Sequence, residues 1–152
     1  MKKYLSEIMD ESTPGLLLCS HGPLAIGLMQ TLEMLAGKNP NMAAFSLEAG
    51  DDIDAYRQAI VSQLEAFPEG SIVFVDLFGG TPCNQFFRYI QESEKEVEII
   101  TGMNLPMLLN AVLARMNSQG ETLSNDSVEN GKMGISRIDC KALLSDDDEE
   151  DE

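Results

Sequence analysis

The strongest constraint on this chain is a repeated switch between two hydrophobic periods. Short continuous apolar runs give way, across a glycine or proline break, to apolar residues at helical spacing. Residues 15–20 ("GLLLCS") form the first such run, and Gly22 and Pro23 break it. Leu24, Leu28, Leu32 and Leu35 then recur at one face of a helix that Gly37 can stop. Residues 42–47 read as a second strand. Ile53, Tyr56, Ile60, Leu64 and Phe67 mark a second amphipathic helix, closed by Pro68 and Gly70. The run "SIVFVD" (71–76) is the clearest buried strand, and Pro82 opens a third helix reaching about Gln91. Residues 96–101 give a fourth strand, and Pro106 opens a fourth helix. A strand without alternation is one covered on both faces, and strands alternating with helices specify an α/β domain with a mostly parallel sheet. The expected architecture is an open sheet of order 2-1-3-4 flanked by helices.

Outside this pattern the chain is less informative. Residues 1–14 read as a polar leader, and 15–140 as the domain. Residues 141–152 read as a disordered acidic tail, because a segment so poor in apolar residues cannot bury a core. Residues 121–129 could add a short helix, and "GISRID" (134–139) a fifth strand.

Charge and cysteines exclude several functions. The formal net charge is −16, and it remains −9 when the seven acids of the tail are set aside. Nucleic acid and anionic membrane surfaces are therefore poor partners. Three cysteines, at 19, 83 and 140, fit neither a disulfide framework nor zinc spacing. No run approaches the ~18–20 apolar residues of a membrane span, and the N-terminus lacks the apolar core of a signal peptide. A cytoplasmic location is expected.

The chemistry concentrates in three loops that join a strand to a proline-started helix: "SHGP", "LFGGTP" and "GMNLP". In an open parallel sheet such loops lie at the carboxyl ends of the strands, where ligands bind at the point of strand-order reversal. With strands one and three adjacent, His21 and Asp76 can meet there. A carboxylate that accepts a hydrogen bond from one ring nitrogen fixes the tautomer and frees the other nitrogen as a nucleophile. The helix starts add N–H groups and dipole potential suited to phosphate, with Thr81, Gly79, Gly80 and Gly22 around them. Ser20, Asn84 and Asn104 are further pocket candidates. The constellation fits a histidine that carries a phosphoryl group. The residues alone leave a second reading for each part: a histidine in a turn, an Asp76 that caps the next helix, glycines that only supply positive φ. The glycine turn lacks the lysine of a phosphate-binding Walker loop, and no dinucleotide fingerprint occurs.

Three motifs in order, "SHGPLAIGLMQTLEMLAG", "VFVDLFGGTPCN" and "EIITGMNLPMLL", make the chain resemble the IIA component of the mannose family of the bacterial sugar phosphotransferase system, over residues 15–139. The resemblance implies that His21 is the phosphorylated histidine, that Asp76 orients it, and that Gly79 to Pro82 with Thr81 cradle the phosphate. It implies a phosphoryl group taken from phospho-HPr and passed to a separate IIB chain, with membrane IIC and IID partners. It also implies a homodimer in which residues 134–139 add an antiparallel strand to the partner's sheet. No cofactor or metal is called for. Two alternatives stand beside this reading: a phosphoryl donor to a dihydroxyacetone kinase, and a non-catalytic module that binds an anion or partner.

Overall fold

The computed structural model describes residues 1–150, and for 146–150 the backbone alone. A five-stranded sheet is built from β1 (Lys2–Leu5), β2 (Leu16–His21), β3 (Met42–Leu47), β4 (Ile72–Val75) and β5 (Glu98–Thr101), in the order β1-β3-β2-β4-β5. Helices α1 (Leu24–Ala36), α2 (Ile53–Ala66), α3 (Thr81–Ser93) and α4 (Leu105–Ala114) connect or follow the parallel strands. α5 (Gly120–Met133) and α6 (Cys140–Glu150) complete the described chain.

The expected α/β class stands and the four parallel strands keep their expected relative order, as β3-β2-β4-β5, but the sheet differs from the expected four-stranded order by a fifth strand, β1, added outside β3. The antiparallel edge strand comes from the leader and not from the C-terminus. β1 pairs with β3 in the register Lys2↔Ser46 to Leu5↔Ala43. Tyr4 packs against the core, and its hydroxyl donates to Glu33 of α1 at 2.8 Å. The rest of the leader is tied down by Asn41, whose side-chain amide donates to the Thr13 carbonyl and accepts from the Asp10 N–H. The buried Arg115 reinforces this corner by donating to the carbonyls of Pro14 and Asn41.

Residues 134–139 form no strand. Within the single chain their two isoleucines, Ile135 and Ile138, stay exposed, so no core burial fixes the segment as a strand. The tail expected to be disordered is helical as far as Glu150; Asp139 caps its start by accepting from the Lys141 N–H. Asp151 and Glu152, also assigned to that tail, lie outside the described residues. α5 is longer than the 121–129 expected.

Every residue of β2 except His21 is buried, as are all four of β4. Because side chains alternate along a strand, two cores result. Leu16, Leu18, Ala44, Phe74 and Ile100 face α1, α4 and α5. Leu17, Cys19, Phe45, Val73 and Val75 face Tyr56 and Ile60 of α2 and Phe86 of α3. α1 is rotated from the expected leucine face: it buries Ala25, Met29 and Leu32, while Leu24 and Leu35 are exposed. The small Ala25 lets the helix lie close to the sheet and turns the leucines outward.

Candidate functional site

The two central strands are parallel neighbours, paired from Leu16↔Ile72 to Cys19↔Val75. His21 closes β2, and Asp76 follows β4 directly. Asp76 Oδ2 accepts two hydrogen bonds from the same residue, from the His21 backbone N–H at 3.0 Å and from Nδ1 at 2.8 Å. A carboxylate only accepts, so Nδ1 carries the proton and Nε2 presents its lone pair. The Asp76 side chain is 13% exposed and the His21 side chain 46%, so the acid is held in the protein and the imidazole faces solvent. The other oxygen, Oδ1, is buried and has no hydrogen-bond partner among the described residues.

Burial behind this pair is extreme. Burial pushes the Cys19 thiol and the Tyr56 hydroxyl far up, with Asp76 adding to both shifts. Neither group ionises near neutral pH.

The glycine turn approaches the ring from the other side. A Cβ on Gly80 would lie 2.6 Å from His21 Cε1 and 3.4 Å from Nε2. The Gly80 backbone has φ −73°, open to any residue; the ring, and not the backbone, demands glycine here. Gly79 does need its positive φ of 78°, and its carbonyl accepts from Asn84 Nδ2 at 2.9 Å, which braces the turn. Thr81 opens α3, whose N-terminus no side chain caps. This leaves N–H groups and a positive helix end beside the histidine.

Several expected residues take other roles. Gly22 lies at φ 57°, and its N–H is already committed to the Leu47 carbonyl at 2.8 Å, so it is not a free phosphate donor. Ser20 is buried; its hydroxyl donates to the Gly22 carbonyl and accepts from the Ala25 N–H, which caps α1. Asn104 caps α4 through Met107 and ties it to α5 through the Gly131 carbonyl. It makes no hydrogen bond to His21 or Asp76.

Two open cavities of about 540 and 550 Å³ flank the imidazole. One is walled by Leu47, Glu48, Asp51 and Ile53; the other by Leu24, Gly27, Leu28 and Thr31. Neither contains a lysine or arginine. The β3–α2 loop in the first wall escaped the sequence reading because it lacks the proline of the other three, although it too follows the carboxyl end of a strand. Asp51 is held below the ordinary carboxylate range by the N-terminal ammonium and by the Glu48 N–H, which donates to it.

Known proteins resemble the chain in sequence and in fold. The family model described as "PTS system fructose IIA component" matches residues 15–151. The chain is 29% identical over 134 residues to the mannose-specific EIIAB component of Escherichia coli (strain K12), covering 86% of this chain and 41% of that protein. It thus spans well under half the length of that relative. It is 30% identical over 112 residues to the fructose-specific EIIA component of Bacillus subtilis, covering 72% of this chain and 76% of that one. Among solved structures, the mannose/sorbose specific IIA subunit from Enterococcus faecalis superimposes with a TM-score of 0.74 at 26% identity, covering 84% of this chain and 96% of that chain. The EIIA component from Streptococcus agalactiae gives 0.73 at 27% identity, covering 81% and 95%. These descriptions do not favour a dihydroxyacetone kinase donor or an inert binding module. The match of nearly the whole domain, with the histidine and the acid meeting at adjacent strand ends, places the chain in the mannose-type IIA family of the sugar phosphotransferase system.

Proposed function

We propose that the chain is a phosphohistidine carrier in sugar uptake, with His21 Nε2 accepting a phosphoryl group from phospho-HPr and releasing it to a IIB component. The observation that carries this reading is the 2.8 Å contact between Nδ1 and Asp76 Oδ2, which leaves Nε2 outward. In the forward step the Nε2 lone pair attacks phosphorus, the phosphorus–nitrogen bond of the donor breaks, and its electron pair returns to the donor imidazole. The His21 ring then carries phosphorus on Nε2 and a proton on Nδ1. Asp76 stabilises the positive charge that this ring gains. The transferring group spreads negative charge over three oxygens, and the Thr81 hydroxyl and the uncapped α3 N-terminus supply donors. Transfer to IIB reverses these bond changes on a new acceptor.

The partners that follow are a IIB component and membrane IIC and IID components, in a cytoplasmic setting. Among the described residues no helix is long and apolar enough to cross a membrane. A homodimer is part of the same reading. Met133, Ile135 and Ile138 are exposed, and β5 is a sheet edge, so a partner's segment 134–139 has both an apolar surface and an open strand to join. Sedimentation of the full chain at micromolar concentration tests it: a monomer throughout discards the exchange.

The central test is phosphorylation with phosphoenolpyruvate and the general phosphotransferase proteins. The label should be acid-labile and base-stable and should vanish in His21→Ala. A label that persists in that variant overturns the assignment.

A further inference from the structure

The turn that approaches the imidazole contains two consecutive glycines, Gly79 and Gly80. Glycine loses more conformational freedom on folding than any other residue, so a turn built this way does not hold its own shape. Yet it must be held closely. It walls one side of the His21 ring, which Asp76 grips by Nδ1, and it leads into Thr81 and the uncapped start of α3. Its hydrogen bonds are few. The Gly80 N–H donates to the Leu77 carbonyl at 3.3 Å, just past the usual span of such a bond, and Asn84 braces the Gly79 carbonyl at 2.9 Å.

A side chain adds one more tie. Phe78 is 73% exposed, but its ring meets that of Phe87 edge to face, with centroids 6.1 Å apart and planes at 62°. That is a favoured aromatic geometry. Phe87 is the fixed end of the contact: it lies in the second turn of α3 and packs against the core that holds Phe86 and Tyr56. Phe78 therefore reaches past the start of the helix and fastens the glycine turn to its body. Leu77, on the same turn and 61% exposed, belongs to neither core.

We infer that Phe78 is a positioning residue, whose ring on Phe87 latches the glycine turn against the His21 imidazole and keeps the start of α3 aimed at it. It acts through Gly80 and not on the transferred group. The kinetic consequence rests on the phosphocarrier reading; the placement of the ring is a property of the unphosphorylated chain. An edge-to-face contact of this kind shifts an equilibrium between seated and unseated turn by about two- to tenfold.

The test compares Phe78→Ala, Phe78→Tyr and Leu77→Ala in the full chain, by ¹⁵N NMR without donor and by transfer over a range of phospho-HPr concentrations. Phe78→Ala should shift or broaden the Gly79 and Gly80 amide signals and the His21 ring signals. It should lower the rate at saturating donor about two- to tenfold, with KM little changed. Phe78→Tyr keeps the aromatic contact and should restore both readouts. Leu77→Ala, which removes a comparably exposed apolar side chain outside the latch, should leave the ring signals in place. Phe78 is exposed, so its truncation does not threaten folding, and the rest of the spectrum reports the fold directly. Parental ring signals in Phe78→Ala overturn the proposal. So does a raised KM with an unchanged saturating rate, which makes Phe78 a contact for the partner. If His21 takes no label even in the parent, the phosphocarrier reading fails, and the ring signals still decide the latch.

Discussion

Replacing Gly80 by alanine isolates the role of ring placement. The Gly80 φ of −73° and ψ of 168° suit alanine, so no backbone strain enters. The added methyl would lie 2.6 Å from His21 Cε1, where carbon atoms at rest keep about 3.5–4.0 Å apart. The ring must therefore retreat by about 1 Å. Nδ1 now sits 2.8 Å from Asp76 Oδ2, and a displacement of that size spoils the length or the angle of the contact. Losing a hydrogen bond to a charged group costs about 1.5–3 kcal/mol, or about 10–100-fold in rate where the bond serves the transition state. The assay is single-turnover transfer from phospho-HPr, read beside the ¹⁵N shifts of the imidazole, which report its tautomer, and a thermal melt. The expected result is slowed transfer, a mixed tautomer and a melting temperature close to that of the parent. Asp76→Asn should slow transfer by a similar factor, because it weakens the same contact from the other side. A Gly80→Ala variant with parental rate and parental ring shifts refutes the reasoning, since the turn, not the ring, would then have moved.

Two further outcomes follow from the described burial and charges. In the native protein Cys140 should react with an alkylating reagent, while Cys19 and Cys83 should react only on unfolding, because both are buried and the Cys19 thiol is pushed well above its ordinary range; mass mapping of the modified cysteines decides it. The Asp10 carboxyl is held below the ordinary range by the Ser12 N–H and by the hydroxyls of Ser12 and Thr13. Its folded value lies under its unfolded one, so its stabilisation is present above about pH 4 and drains away as the pH falls through the folded value. Asp10→Asn should flatten that part of the acid unfolding profile, and an unaltered profile would remove Asp10 from the account.

The meeting of His21 and Asp76 was legible because it needs only local facts and one topological one. Each residue ends an apolar run, and the runs are adjacent in the sheet. The leader strand was not legible. "KKYL" contains no apolar run, and β3, to which it pairs, lies far away in sequence. The face of α1 was misread because leucines at 24, 28, 32 and 35 compete with Ala25, Met29 and Leu32 at equally helical spacing, and alanine carries little hydrophobic weight. Ser20, Gly22 and Asn104 were placed in the right loops. Their hydrogen-bond partners, Ala25, Leu47 and Gly131, are set by packing and not by motif. The same holds for Gly80, whose need for a bare Cα arises from a ring 59 positions away.

One oxygen of Asp76 grips both the amide and the imidazole of His21. The aim of the reactive nitrogen is thereby geared to the seam between β2 and β4. Parting of that seam would release the ring, and both strands that form it are buried almost throughout. Reactivity should therefore survive warming until the sheet itself gives way, with the nucleophile as durable as the scaffold that carries it.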